Sequence, residues 1–176
     1  MTLRKTELMN ISKISTIFLF LLLFSSCVDS KKNEKIENKL PLSFEGKVTG
    51  IKDGDTYKVF YNGSEQTVRL AHIDCPEKKQ PFGSKAKQFA SDICFGKNVF
   101  VKSEGKKDRY NRIIAEIILE DDTNLNKELV KNGYAWHFKK YSDNQEYAEL
   151  EIKARNNQVG IWSEPNPTAP WDWRKK

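Results

Sequence analysis

Asp55, Asp74, Glu77 and the guanidinium of Arg69 fall within one stretch of this chain, from Asp53 to Glu77. The stretch opens with Asp53-Gly54-Asp55-Thr56 and closes with Arg69-Leu70-Ala71-His72-Ile73-Asp74-Cys75-Pro76-Glu77. Between these motifs runs a β-branched and aromatic segment, Tyr57 to Val68, broken by Asn62-Gly63. Asn-Gly supplies the positive-φ pair of a tight hairpin turn. A hairpin folds the two ends of the stretch together and brings Asp55, Asp74 and Glu77 within reach of one another, with Arg69 on the returning strand. Carboxylates and a guanidinium held on a rigid strand pair suit a hard divalent cation and a phosphate.

The donor types narrow the cation. Asp55 and Asp74 offer anionic oxygens, which Ca²⁺ prefers, with carbonyls and water completing six to eight positions. No His or thiolate cluster stands beside them to favour Zn²⁺. His72 is close in sequence, but on an extended strand its side chain takes the face opposite Ile73 and is not expected to serve as a ligand or base, and His137 has no partner legible in the sequence. Arg69 and Arg112 suit the other half of the chemistry, because a phosphodiester under attack gathers charge on its equatorial oxygens and guanidiniums bind that array bidentately. The plainer alternatives are a surface charge for Arg112 and an ion pair with Asp74 or Glu77 for Arg69. Neither explains why both arginines accompany a carboxylate cluster.

The elements that must position these groups follow from periodicity and turn chemistry. Strands are expected over Phe44 to Lys52, Thr56 to Tyr61 and Gln66 to Ile73, the last two forming the hairpin. Pro76 and Pro81 make the next segment a loop. Ala86, Phe89, Ala90 and Ile93 then mark an amphipathic helix from Ser84 that Gly96 ends. Two more strands follow, at Val99 to Val101 and Ile113 to Leu119, joined by a charged connection from Lys102 to Arg112. Asn124 caps a short helix burying Leu125, Leu129 and Val130, with Gly133 closing it. A last helix spans about Asn144 to Asn157 with Tyr147, Leu150 and Ala154 inward, before a Trp-rich tail. Five strands with a helix after the third is the order of a β-rich (α+β) OB-fold, a Greek-key barrel that presents a face to oligonucleotides, here with about three packed helices.

Residues 1–27 stand apart from that domain. Arg4, Lys5 and Lys13 precede an apolar run, Ile14 to Phe24, that is shorter than the ~20 residues of a membrane span. It reads as an export signal. Ser25-Ser26-Cys27 after such a run resembles a bacterial lipobox, in which Cys27 is lipidated and becomes the mature N-terminus. Localisation is therefore expected to be the cell envelope through a lipid anchor, and otherwise secretion. Residues 28–40 are charged and polar and form a tether, leaving 41–176 as one domain expected to be monomeric. Without residues 1–27 the formal charge falls from +6 to +4, which permits a polyanionic partner without demanding one. Cys75 and Cys94 remain, either as a disulfide or as thiols, Cys94 on the apolar side of its helix.

Asp53-Gly54-Asp55-Thr56, Arg69-Leu70, Ile73-Asp74-Cys75-Pro76-Glu77 and Asp108-Arg109-Tyr110-Asn111-Arg112 together resemble the motifs of the staphylococcal nuclease family. Asn126 to Gly133, Ile161-Trp162-Ser163 and the Trp-rich end extend the likeness over nearly all of residues 44–173. The resemblance implies an OB-fold barrel and a Ca²⁺-dependent phosphodiesterase acting on DNA and RNA. Carried over by position, it makes Asp55, Asp74 and the Cys75 carbonyl the Ca²⁺ ligands, Glu77 the general base, and Arg69 and Arg112 the phosphate-binding pair. Arg109, Tyr110 and Tyr141 would contact the flanking phosphate. Cys75 stands where the family has threonine, a change a carbonyl ligand tolerates. Asn111 replaces a glycine, and asparagine accepts a left-handed backbone better than most residues. The loop from Lys78 to Gly83 is shorter than in the best-known member. The alternatives are a non-catalytic nucleic-acid-binding module on the same barrel, and a structural Ca²⁺-binding envelope lipoprotein, which would need neither Arg69 nor Arg112.

Overall fold

The computed structural model describes residues 42–175. The expected leader, Cys27 and the tether at 28–40 lie outside the described residues. In chain order the elements are β1 (Ser43–Ile51), β2 (Thr56–Tyr61), β3 (Ser64–Leu70), β4 (Ile73–Asp74), α1 (Gly83–Cys94), β5 (Asn98–Lys107), β6 (Ile113–Leu119), α2 (Leu125–Lys131), β7 (Trp136–His137) and α3 (Gln145–Asn156). A 3₁₀ turn, Gly160–Ser163, and a short helix, α4 (Pro170–Trp173), complete them.

Five of the strands close a barrel in the order β1-β2-β3-β6-β5. Asn62 and Gly63, at φ 46° and 75°, make the two-residue hairpin turn, and Tyr61 pairs with Ser64 across it. Closure depends on a parallel pairing of β3 with β6, Val68 opposite Ile113 and Leu70 opposite Ala115. Alternation sends Val48, Tyr57, Val59, Val68, Val101, Ile113 and Ile117 into an interior from which solvent is excluded. Each such aliphatic side chain contributes about 1.5–3 kcal/mol relative to exposure. α1 follows the third barrel strand and buries Ala86, Ala90 and Cys94 against this core. The architecture is the five-stranded OB-type barrel that the element order requires.

Three local features differ from the sequence expectation. The strand expected to reach Ile73 stops at Leu70, and His72 takes a left-handed φ of 67°. Arg69 Nη1 grips the bend by donating to the carbonyls of Leu70 (2.6 Å) and Ile73 (2.9 Å), and Asn126 Nδ2 donates to that of Ala71 at 3.0 Å. Ile73 and Asp74 then pair with His137 and Trp136 as a separate two-stranded sheet. Second, β5 runs on to Lys107, which pairs with Ile113, so only Asp108–Arg112 remains as a turn. Alternating burial to Ser103 and a bulge before Lys107 let the charged segment stay in the ladder. Third, the tail carries a fourth helix, α4, started by Pro170 at its first turn.

The helix signals were otherwise read by the fold as written. Asn124 and Asn144 accept from the backbone N–H of Lys127 and Glu146, and Gly133 takes φ 68° after α2. Cys75 and Cys94 are both free and buried. Burial pushes the Cys75 thiol well above its ordinary value and that of Cys94 up to about 12, so both stay protonated. Among the described residues, no helix is long and apolar enough to cross a membrane.

Candidate active site

The site forms where the β1–β2 turn meets the segment after β3. Two glycines allow that approach. A Cβ on Gly54 would lie 2.8 Å from Cys75 Sγ, and a Cβ on Gly83 would lie 1.9 Å from the Glu77 carbonyl oxygen. The Tyr57 hydroxyl, fully buried, donates to the Gly54 carbonyl at 2.7 Å and fixes the turn from below. Asp55 is tied to the second segment directly, its Oδ2 accepting from the Cys75 N–H at 2.8 Å.

From this base one continuous chain of contacts joins Arg112, Asp55, Arg69, Asp74 and Glu77. Arg112 Nη1 donates to Thr56 Oγ1 at 3.2 Å, and that hydroxyl donates to Asp55 Oδ1 at 3.3 Å. Arg69 Nη2 lies 3.2 Å from Asp55 Oδ2 and 2.9 Å from Asp74 Oδ1. Arg174 continues it, with Nη2 at 2.6 Å from Asp74 Oδ2 and Nη1 at 2.6 Å from Glu77 Oε1. Asp55, Asp74 and Glu77 are thus brought together, linked by guanidiniums. The ion pair between Arg69 and Asp74 that was weighed as the plainer alternative is present.

Burial divides the carboxylates. The side chains of Asp55 and Asp74 are 9% and 2% exposed, whereas that of Glu77 is 40% exposed. Burial pushes Asp74 above its ordinary value against the opposing hydrogen bond from Arg174. Burial and the neighbouring Asp55 charge push Asp53 up to about 6. Arg69 is held more firmly charged than usual, because the carboxylates of Asp55 and Asp74 outweigh the effect of its burial.

Arg112 is aimed by Asp108, whose Oδ2 accepts from Nε at 2.7 Å and lies 2.7 Å from Nη2. Burial would raise Asp108, but its hydrogen bonds from the Arg112 side chain and backbone and from the Tyr110 N–H hold it below its ordinary value. Asn111 adopts φ 62° and turns the chain there. Tyr110 is largely exposed, bonded through its hydroxyl to Arg109 Nη2 at 2.7 Å, with Arg112 Cζ 5.4 Å from its ring. Arg109 and Tyr110 therefore border the carboxylates through Arg112. Tyr141 does not adjoin them: it is exposed and packs edge-on against Phe138 at 5.0 Å.

His72 is at a bend, not on an extended strand as expected, and its ring packs against Tyr147 rather than Asp55, Asp74 or Glu77. Its Nδ1 lies 3.0 Å from Ser142 Oγ, which lies 3.0 Å from His137 Nε2, giving His137 a partner the sequence did not reveal. Sequence reasoning also missed Thr56 as a link, Asp108 as the clamp on Arg112, and Arg174. The first two sit inside motifs already singled out. The only signal for Arg174 was its place in the Trp171-Asp172-Trp173-Arg174 tail.

Among the described residues, no three His, Cys, Asp or Glu side chains are gathered as a ready metal cage. The donors nevertheless fit a hard divalent ion. All are oxygens, burial together with the neighbouring Asp55 charge raises Asp53 and Asp74, and the compensating charges present are guanidiniums.

Comparison with known proteins places these motifs in context. The family model for staphylococcal nuclease homologues matches residues 67–164. An uncharacterized endonuclease of Haemophilus influenzae is 40% identical over 131 residues, which cover 74% of this chain and 72% of the relative. A micrococcal nuclease of Shigella flexneri is 40% identical over 143 residues, covering 75% and 81%. An uncharacterized endonuclease of Escherichia coli is 34% identical over 131 residues, covering 74% and 85%.

Proposed function

The chain belongs to the staphylococcal nuclease family and is a nuclease, and from that premise we propose that it hydrolyses phosphodiester bonds of both DNA and RNA with Ca²⁺ bound. The observation that carries this reading is the split in burial within one connected network: two buried carboxylates, Asp55 and Asp74, and one that reaches solvent, Glu77. Buried carboxylates suit a cation, since burial makes their negative charge costly unless it is compensated. An exposed carboxylate beside them suits a water molecule.

Asp55, Asp74 and the Cys75 carbonyl would hold Ca²⁺. When bound, the ion supplies Lewis-acid stabilisation of charge on the phosphate oxygens. Glu77 accepts the proton of the attacking water. Arg112, gripped by Asp108 along its Nε and Nη2 edge, presents its remaining donors toward Thr56 and the site, where they hold the phosphate. Arg69 adds a second guanidinium already fixed by the bend carbonyls. Pre-aimed donors of this kind stabilise developing charge without reorganising during the reaction. Arg109 and Tyr110 would contact the flanking phosphate, and Tyr141 is assigned to it by the family resemblance alone.

We place the protein outside the cytoplasm, anchored as a monomer through lipidated Cys27 and the tether at 28–40, with residues 41–176 as the nuclease domain. The leader's basic start, apolar run and Ser-Ser-Cys end support this placement. Cleavage of plasmid, single-stranded DNA and RNA by the purified protein is the test of function. All three should be cut with Ca²⁺, and none with chelator. Binding of all three without cleavage would instead identify a nucleic-acid-binding module.

A further inference from the structure

We propose that Arg174 is an internal counter-cation of the active site, holding the Asp74 and Glu77 oxygens until a divalent cation displaces it. The inference rests on the reading that Asp74 is a cation ligand. Arg174 Nη2 is 2.6 Å from Asp74 Oδ2, and Nη1 is 2.6 Å from Glu77 Oε1 and 3.4 Å from Asp74 Oδ1. Asp74 Oδ1 also accepts from Arg69 at 2.9 Å. Both oxygens of this buried carboxylate are therefore engaged by guanidiniums. A cation binding Asp74 directly must take an oxygen from one of them. Arg69 is the poorer candidate to yield, because its other nitrogen is fixed to the carbonyls of Leu70 and Ile73 and its side chain is 12% exposed. Arg174 is 43% exposed and reaches in from solvent.

The tail that carries Arg174 is docked by contacts of its own. Trp171 stacks on Phe138 with ring centroids 5.2 Å apart and an interplanar angle of 2°, and meets Trp136 edge-on at 5.6 Å. Gln80, buried, joins tail and site loop: its Nε2 donates to the Thr168 carbonyl at 2.6 Å and its Oε1 accepts from the Glu77 N–H at 3.1 Å. One side chain thus holds the backbone of Glu77 to the segment that delivers Arg174. The guanidinium is presented by an anchored element, so it can withdraw without undocking Trp171.

A competitor tethered in this way weakens apparent cation affinity by the fraction of molecules in which the site is open. Linkage makes the effect reciprocal, so the cation should loosen Arg174 by the same factor. The measurement is Ca²⁺ affinity by calorimetry on the whole purified protein, for wild type, Arg174→Gln, Arg174→Lys and Lys175→Gln. Lys175, which pairs with Asp172 at 2.8 Å, loses the same charge one residue away and controls for long-range electrostatics. Arg174→Gln should bind Ca²⁺ roughly three- to tenfold more tightly than wild type. Lys175→Gln should stay within about twofold of wild type, and Arg174→Lys should fall between the two. In chelator, Arg174→Gln should melt below wild type, and added Ca²⁺ should raise its Tm by more. If wild type takes up no Ca²⁺, the reading of the site falls and this inference with it. If wild type binds Ca²⁺ but Arg174→Gln binds it no more tightly, or gains no more than Lys175→Gln, the counter-cation assignment alone is wrong.

Discussion

Two polar clusters flank the bend at His72, and they are built on opposite principles. On one side Asp55, Asp74 and Glu77 crowd together, and Arg69 with Arg174 from the far end of the described chain offset their three negative charges only in part. On the other side the groups mostly satisfy one another. Tyr147 donates to Glu116, which also accepts from Asn124 at 3.0 Å, and Ser142 stands between the rings of His72 and His137. Tyr147 packs against both imidazoles. A cluster that closes on itself has little charge left for a ligand. One with surplus buried carboxylate invites a cation. Proximity in sequence does not separate them, since His72 is two residues from Asp74; the left-handed bend does.

Mutations should break the two clusters in different ways. Arg112→Ala should lower turnover by about 10²–10³-fold, the loss typical of removing one fixed donor to developing charge. Arg112→Lys should recover little, because an ammonium cannot replace the fork that Asp108 aims. Steady-state cleavage kinetics would check both; retained turnover in Arg112→Ala would mean that the charged cluster does not stabilise the transition state.

Next in size is a purely structural loss. Asn126 is fully buried and satisfies the carbonyls of Ala71 and Ala115 and the N–H of Ile117. The Ala115 carbonyl also accepts from the Ala71 N–H at 2.7 Å, so Asn126→Ala should cost at least about 2 kcal/mol chiefly by taking this donor from the Ala71 carbonyl and this acceptor from the Ile117 N–H, seen as a lower denaturation midpoint. Turnover per folded molecule should fall much less than in Arg112→Ala.

Tyr147→Phe should cost about 1.5–3 kcal/mol at neutral pH, the range for a hydrogen bond to a charged group. Burial would raise Glu116, but the Tyr147 hydroxyl and Asn124 outweigh it and hold its carboxyl below the ordinary 4.5. A depressed carboxylate adds stability that is present above its unfolded pKa and lost as pH falls through the folded one. The penalty of Tyr147→Phe should therefore be greatest at neutral pH and shrink in acid below 4.5. Denaturation curves at several pH values test the sign. The smallest effect belongs to His72→Asn, which keeps a residue tolerant of positive φ. Turnover should change by no more than about threefold, in keeping with a site outside the reaction; a loss comparable to that of Arg112→Ala would merge the two clusters into one machine.

How much of this was legible in the sequence depends on how local the signal was. The Asn62-Gly63 hairpin, the caps at Asn124 and Asn144, and the left-handed Asn111 each reside in one or two residues, and each stands as read. Asp55 and Arg69 converge because that hairpin sets Thr56 opposite Arg69, and Asp74 joins them through the bend that follows. The stop at Leu70 was hidden, because it depends on Arg69 and Asn126 gripping carbonyls of the bend. The β4–β7 pairing was hidden for the same reason: two-residue strands far apart in the chain carry no periodicity. Arg174 lies about a hundred residues from its partners, and nothing in the tail's composition says which carboxylates it meets.

The central claim is that the buried carboxylates hold the cation while Glu77 works on water, and one paired measurement on Glu77→Gln tests it most directly. Calorimetry gives its Ca²⁺ affinity with a nucleotide analogue present, and cleavage at saturating Ca²⁺ gives its turnover. Glutamine keeps size and hydrogen bonding but cannot accept the proton, so turnover should fall by roughly 10²–10⁴-fold. Ca²⁺ should still bind, at least as tightly as in wild type, since Arg174 loses one of its two carboxylate partners. Asp55→Asn, measured beside it, should instead weaken Ca²⁺ binding. Near-normal turnover in Glu77→Gln, or activity lost only because Ca²⁺ no longer binds, would contradict this division of labour.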